Sequence, residues 1–266
     1  MKPSPLFTPF ESPKLKLKNR IVMAPMTRSF SPSGIPGKDV AEYYGRRAKG
    51  GVGLIITEGV NINHPASPGY PDVPVIYGEA LESWRGVTDQ VHKQGGKIAA
   101  QLWHVGCIRS PQFDSQNQIP SVSPSGIIYN ATEHTHYHSE ELSSAEIQKV
   151  IEAFAEGAVN AKQVGFDAIE IHGAHGYLID QFFWERTNKR TDQYGGDSLR
   201  QRTQFAQEVI KACRAAVGPD YPIIFRFSNW KLQSYEKNLF ESAEELNEFL
   251  IPLVEAGVDV FHASNR

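Results

Sequence analysis

The segment Ile169-Glu-Ile-His172-Gly-Ala-His175-Gly-Tyr177-Leu-Ile-Asp-Gln-Phe carries two imidazoles three residues apart and a phenol two residues further on. Two glycines lie among them, directly after an apolar run. Two histidines can ligate a metal, but no further Cys/His pair follows with zinc-like spacing. They can instead offer two N–H donors to one carbonyl oxygen, with the phenol as proton source. A third reading is that they satisfy backbone groups at a strand end. The flexible turn after a buried strand favours the donor reading.

Other reactive groups gather where apolar runs end. Pro25-Met26-Thr27 follows one run, Glu58-Gly59 a second, Gln101, Trp103 and His104 a third, and Arg226 and Ser228 a fourth. Such a rim of His, Tyr, Arg and Gln suits a planar, polar, electron-accepting ring. Arg226 lies inside an apolar strand and needs an anionic partner, either a carboxylate such as Glu170 or a bound anion. Glu58 reads equally as a base or as half of a salt bridge. His134-Thr-His136-Tyr-His138 would align its imidazoles if extended. It lies in an irregular stretch, where a solvated loop is the favoured reading.

The elements that position these groups alternate regularly. Strands are expected at Asn19 to Pro25, Val52 to Gly59, Lys97 to His104, Asp167 to Gly173, Ile223 to Ser228 and Val258 to Ser264. Their near-continuous apolar character suits parallel strands covered on both faces. Between most of them lie amphipathic helices. The clearest runs from Ser143 to Val164, where Ser143-Ser-Ala-Glu146 reads as a capping box. Others are marked by Trp84, Val87 and Val91, by Phe205, Val209 and Ala212, and by Leu246, Phe249, Leu250 and Leu253. The fold class is therefore α/β, and reactive groups of parallel α/β folds collect at the carboxyl ends of the strands. Cys107 to Leu142 lacks clear periodicity.

Composition narrows the function. Across 266 residues, 27 Lys and Arg against 30 Asp and Glu give a formal charge of −3 with no basic stripe, which argues against nucleic acid and anionic lipid. No apolar run reaches the roughly 18 residues of a membrane helix. The N-terminus does not resemble a signal peptide. Two distant cysteines argue for a reducing compartment, with the cytoplasm as default.

Five motifs occur in order: Asn19-Arg-Ile-Val-Met-Ala-Pro-Met-Thr27, Gly53-Leu-Ile-Ile-Thr-Glu-Gly59, Gln101-Leu-Trp-His104, Ile171-His-Gly-Ala-His-Gly-Tyr-Leu178 and Asn188-Lys-Arg-Thr-Asp-Gln-Tyr-Gly-Gly196. Together they resemble the Old Yellow Enzyme family of FMN-dependent NADH:flavin oxidoreductases, from about Leu6 to Arg266. The resemblance implies a TIM (β/α)₈ barrel with FMN across its carboxyl-end mouth. By motif, Pro25 and Met26 correspond to the wall beside the flavin, and Thr27 to the residue that meets its C4 carbonyl. Gly59 and Gln101 match positions on the pyrimidine edge, and Arg226 the arginine beside N1. His172 and His175 match the pair that binds the substrate carbonyl, and Tyr177 the proton donor. Cys107 and Ile108, followed by Arg109, depart from the arginine that many members have there.

The implied activity is reduction of the C=C bond of α,β-unsaturated carbonyl compounds by NAD(P)H through FMN, with no metal. Expected partners are a small enone or enal, with neither nucleic acid nor membrane, and a homo-oligomer is compatible with the sequence. The alternatives are a metal-dependent lyase or hydrolase on the same barrel, and an inactive fragment. One domain is expected over residues 1–266 with about six of eight βα units, incomplete at its C-terminus. The loops expected to hold the FMN phosphate would then lie outside it, and this polypeptide alone is expected to be colourless or poorly soluble and inactive.

Overall fold

The computed structural model describes residues 4–110, 113, 118–130 and 135–265. Six parallel strands form one curled sheet: β1 (Val22–Met23), β2 (Leu54–Asn61), β3 (Lys97–Trp103), β4 (Ala168–His175), β5 (Ile223–Lys231) and β6 (Val260–Ser264). Their spatial order is their chain order, as in a partial (β/α)₈ barrel. The connections carry α1 (Lys38–Lys49), α2 (Ala80–Lys93), α3 (Ser144–Gln163), then α4 (Leu178–Phe183), α5 (Leu199–Arg202) and α6 (Gln204–Val217), and finally α7 (Ala243–Ala256). All six expected strands are present. The first is shorter than its apolar run, and β4 and β5 run further than theirs. Helix α1 was not anticipated. Its Val40, Tyr44 and Ala48 do repeat every four residues, but Gly37 at its start makes no side-chain cap bond.

Strand periodicity gives the sheet two different faces. Ile98, Ala100, Leu102, Ile169, Ile171, Phe225 and Phe227 pack with helix residues such as Trp84, Phe154, Val209 and Phe249 in the main core. The alternate positions Leu54, Ile56, Ala99, Ala168 and Ile224 form a second cluster with Leu15 and Leu17. Those two leucines come from the N-terminal hairpin pairing Phe10–Glu11 with Lys16–Leu17, which closes the amino end of the concave face. Two residues further along the strands, the same face becomes polar, with Gln101, Glu170 and Arg226 on β3, β4 and β5.

At the start of α3, Ser143 Oγ accepts the Glu146 N–H at 3.2 Å, but the Glu146 carboxylate turns to Lys149 at 2.6 Å and towards His64 at 3.8 Å. The stretch expected to be irregular contains two short pairings. Val122–Ser123 runs beside Glu140–Glu141, and Ile127–Asn130 pairs with Thr135–His138 as a hairpin. Strands of two to four residues are too short to show a period. Arg190 ties this excursion down, donating at 2.6 Å to the carbonyls of both Pro124 and Leu142. His134 and Arg266 lie outside the described residues. Among the described residues, no helix is long and apolar enough to cross a membrane.

The apolar floor sets a stability expectation. Leu17 is buried to 7% exposure, whereas Leu6 is 55% exposed. Leu17→Ala should cost about 2–5 kcal/mol, the range for a buried leucine truncation, and Leu6→Ala no more than about 0.5 kcal/mol. Urea unfolding of both variants checks this. Equal small losses would mean that the hairpin does not close the floor.

Candidate active site

The turn after β4 gathers three of the sequence-selected residues. Register between β4 and β5 slips between Gly173 and His175. His175 then takes φ +65° and Gly176 φ +84°. Two left-handed residues in succession reverse the chain, so Tyr177 stands at the N-cap of α4 and faces back to the strand end. The His172 ring consequently lies 5.2 Å from that of His175 and 5.1 Å from that of Tyr177, edge to face in both cases. Trp103 packs 6.0 Å from His172 and 4.9 Å from Tyr177.

Burial sets the protonation of this group. Desolvation holds the His172 imidazole well below its usual range, with the charge fields of His175 and Arg226 adding to it. The same cause, with Arg226 and Lys231 beside it, lowers His175 to about 3. Both imidazoles are neutral near pH 7, so each carries one N–H and one acceptor nitrogen. Burial also pushes the Tyr177 phenol up, and Tyr70, whose hydroxyl is 3.2 Å away, raises it further. The phenol therefore keeps its proton.

Arg226 stands in register with His172 on one side and His262 on the other. Its Nη2 donates to Ser264 Oγ at 3.2 Å, and the same hydroxyl lies 2.7 Å from His175 Nε2. The carboxylate considered as its partner is engaged elsewhere. Glu170 accepts from Gln101 Nε2 at 2.7 Å through one oxygen and lies 2.7 Å from His262 Nδ1 through the other. Glu170 thus acts on Arg226 only through its field, which partly offsets the lowering of the guanidinium pKa by burial. Among the described residues, the buried Arg226 Nε and His172 Nδ1 have no hydrogen-bond partner.

The remaining rim residues divide by role. Pro25, Met26 and Thr27 follow β1 outside any regular element, with Met26 69% exposed. Glu58 fixes what comes next, its Oε2 accepting from the N–H groups of Arg28 at 2.8 Å and Ser29 at 3.2 Å. Its two backbone bonds and the nearby Arg28 guanidinium, 4.0 Å away, make it an anchor of this loop. Gly59 is required by a close approach, because a Cβ there would stand 2.3 Å from Trp103 Cε3. Arg109, behind the unusual Cys107-Ile108, donates to the carbonyls of Ile119 and Pro120. Among the described residues, no three His, Cys, Asp or Glu side chains cluster as metal ligands.

Sequence reading missed Tyr70, Trp230, Lys231, His262 and Ser264. The Trp230 ring stacks on His175 at 4.4 Å. One signal was available for two of them: Ser228-Asn-Trp-Lys231 continues a strand pattern, and β5 does extend to Lys231. Tyr70 is in a loop, and only the tertiary fold reveals its neighbour.

Comparison with known proteins agrees with this fold. The family model for the NADH:flavin oxidoreductase / NADH oxidase family matches residues 5–263. The chain is 41% identical over 228 residues to 12-oxophytodienoate reductase 7 of Oryza sativa subsp. japonica, covering 82% of this chain and 57% of that protein. It is 39% identical over 223 residues to 12-oxophytodienoate reductase 2 of Arabidopsis thaliana, covering 81% and 59%. The chain thus spans less than two thirds of the length of these relatives. Morphinone reductase in complex with tetrahydroNAD superposes with a TM-score of 0.82 at 33% identity, covering 98% of this chain and 74% of that one. Old Yellow Enzyme from Pichia sp. AKU4542 gives 0.82 at 31% identity, covering 94% and 66%. A family match over nearly the whole chain, carried on a half-barrel whose strand ends hold the motif residues, means that this protein belongs to the NADH:flavin oxidoreductase / NADH oxidase family, that of the Old Yellow Enzymes.

Proposed function

We propose that the protein is an FMN-dependent ene-reductase that draws on NAD(P)H and reduces the C=C bond of α,β-unsaturated carbonyl compounds. The observation that carries this reading is the convergence of two neutral imidazoles and a protonated phenol beside a half-buried arginine whose buried Nε has no partner among the described residues. The names of its relatives, 12-oxophytodienoate reductase and morphinone reductase, fit a ketone as acceptor. Two buried free thiols, Cys107 and Cys213, fit a reducing compartment such as the cytoplasm.

The residues present fit the ring of FMN. Arg226 brings a cation with a free buried donor to a surface where, among the described residues, only Ser264 accepts from it. Gln101 has its amide nitrogen committed to Glu170, which fixes the plane in which its oxygen accepts. The chain at half-buried Pro25 and exposed Met26 and Thr27 suits a wall against a flat ring, and Gly59 keeps Trp103 seated behind it. FMN, when bound, supplies hydride transfer from NAD(P)H to the β-carbon of the substrate. Arg226 balances negative charge on the ring edge. His172 and His175 hold the substrate carbonyl oxygen by N–H donation, where charge grows as the β-carbon is attacked. Tyr177 delivers its phenolic proton to the α-carbon. Trp103 and Tyr70 exclude water around that phenol.

Two outcomes test these assignments. Arg226→Ala should weaken FMN binding, read by quenching of flavin fluorescence on titration; a ring cation contributes on the order of 1.5–3 kcal/mol through charged hydrogen bonds. Unchanged affinity would remove Arg226 from the flavin site. Tyr177→Phe should leave reduction by NAD(P)H near normal and slow reoxidation by cyclohexenone by roughly 10²–10⁴-fold, the size of a lost general acid. Stopped-flow measurement of both half-reactions decides; equal slowing of both would mean that Tyr177 acts through packing.

A further inference from the structure

Neither Asp180 nor Lys231 has a role in that chemistry, yet together they form the most deeply buried ion pair among the described residues. Lys231 Nζ lies 2.5 Å from Asp180 Oδ1, with side-chain exposures of 1% and 0%. Taking both charges out of water is costly, and a well-packed apolar pair commonly serves stability as well or better. Burial pushes the Asp180 carboxyl up and the Lys231 ammonium down, and each partner opposes the shift of the other.

The bonds around the pair converge on one place. The second oxygen of Asp180 accepts the Gly176 N–H at 2.6 Å. Gln181, the next residue, donates to the Gly176 carbonyl at 2.7 Å. Lys231 aligns with His175 across the β4–β5 ladder, and the following Leu232 N–H donates to the His175 carbonyl at 3.2 Å. His175 is a non-glycine residue at φ +65°. Such a conformation persists only where its surroundings over-determine it.

We propose that the Asp180–Lys231 pair is a positioning device for the proton-donating turn. Lys231 orients the carboxylate, the carboxylate holds the Gly176 N–H, and the turn then keeps His175 and Tyr177 flanking His172. This rests on the reading of Tyr177 as proton donor. The pair acts through the turn, by way of the Gly176 N–H and the β5 register at His175.

The test uses the flavin-loaded protein with Asp180→Leu/Lys231→Met, which removes both charges together and so leaves no unpaired charge to unfold the chain. Amide exchange at Gly176, read by hydrogen exchange and mass spectrometry on peptides spanning the turn, should quicken by about tenfold, the equivalent of one buried hydrogen bond. Reoxidation by cyclohexenone should slow by a similar factor, with reduction by NAD(P)H unchanged. Asp180→Asn/Lys231→Met restores an acceptor for Gly176 and should recover most of both losses. In a Tyr177→Phe background, Asp180→Leu/Lys231→Met should slow reoxidation no further. Unchanged exchange at Gly176, equal slowing of both half-reactions, absence of rescue by Asn, or full additivity with Tyr177→Phe would each overturn the proposal. If Tyr177→Phe alone leaves reoxidation intact, the donor assignment fails, and a positioning role for that proton falls with it; exchange at Gly176 separates that failure from a turn the pair does not hold.

Discussion

Desolvation of a polar layer is the constraint on which the rest of the structure depends. Gln101, Glu170 and His172 are buried on the concave face above an apolar floor, with Arg226 half-buried beside them. Buried polar groups must find partners or lose their charge. Glu170 does the former, with one oxygen engaged by Gln101 of the adjacent β3 and the other by His262 of β6, two strands away. The imidazoles and the phenol do the latter and stay neutral. A set of neutral donors beside one retained cation is what an electron-accepting ring and a carbonyl oxygen require. In the proposed reading, burial therefore sets the protonation states of the site before any ligand arrives.

That layer exists because strand periodicity is two and the floor is apolar. Ala168 and Ala99 pair across β4 and β3 at the bottom, and Glu170 and Gln101 pair two residues higher. A single-residue slip would turn Glu170 into the helix-covered core and Ile171 into the site. The main core on the convex face, with Phe154, Phe205 and Phe249 fully buried, holds that register. The geometry of the proposed site is thus tied to ordinary packing at some distance from it.

Much of this was legible in the sequence because the same periodicity writes both. The six strands, four of the helices and the cluster of His172, His175 and Tyr177 follow from apolar runs and the residues at their ends. Helix α1 escaped because its start lacks a side-chain cap and its outer face is strongly polar. The partner of Arg226 could not be read, since only the folded chain shows Glu170 engaged by Gln101 and His262 and Ser264 beside the guanidinium. Tyr70 and Ser264 reach the site from a loop and from a strand end whose neighbours are far away in the chain. The strand pattern places Lys231 on β5, but only the folded chain sets Asp180 against it.

The most direct test of this account is the protonation of the two imidazoles, followed by nitrogen NMR in flavin-loaded protein with labelled histidine, with His172→Gln and His175→Gln variants to assign the signals. The account holds that His172 and His175 both stay neutral from about pH 8 down to about pH 5, a window in which an ordinary histidine gains its proton. A histidine of either position that titrates near its usual value would contradict it, because the desolvated donor layer would then not exist.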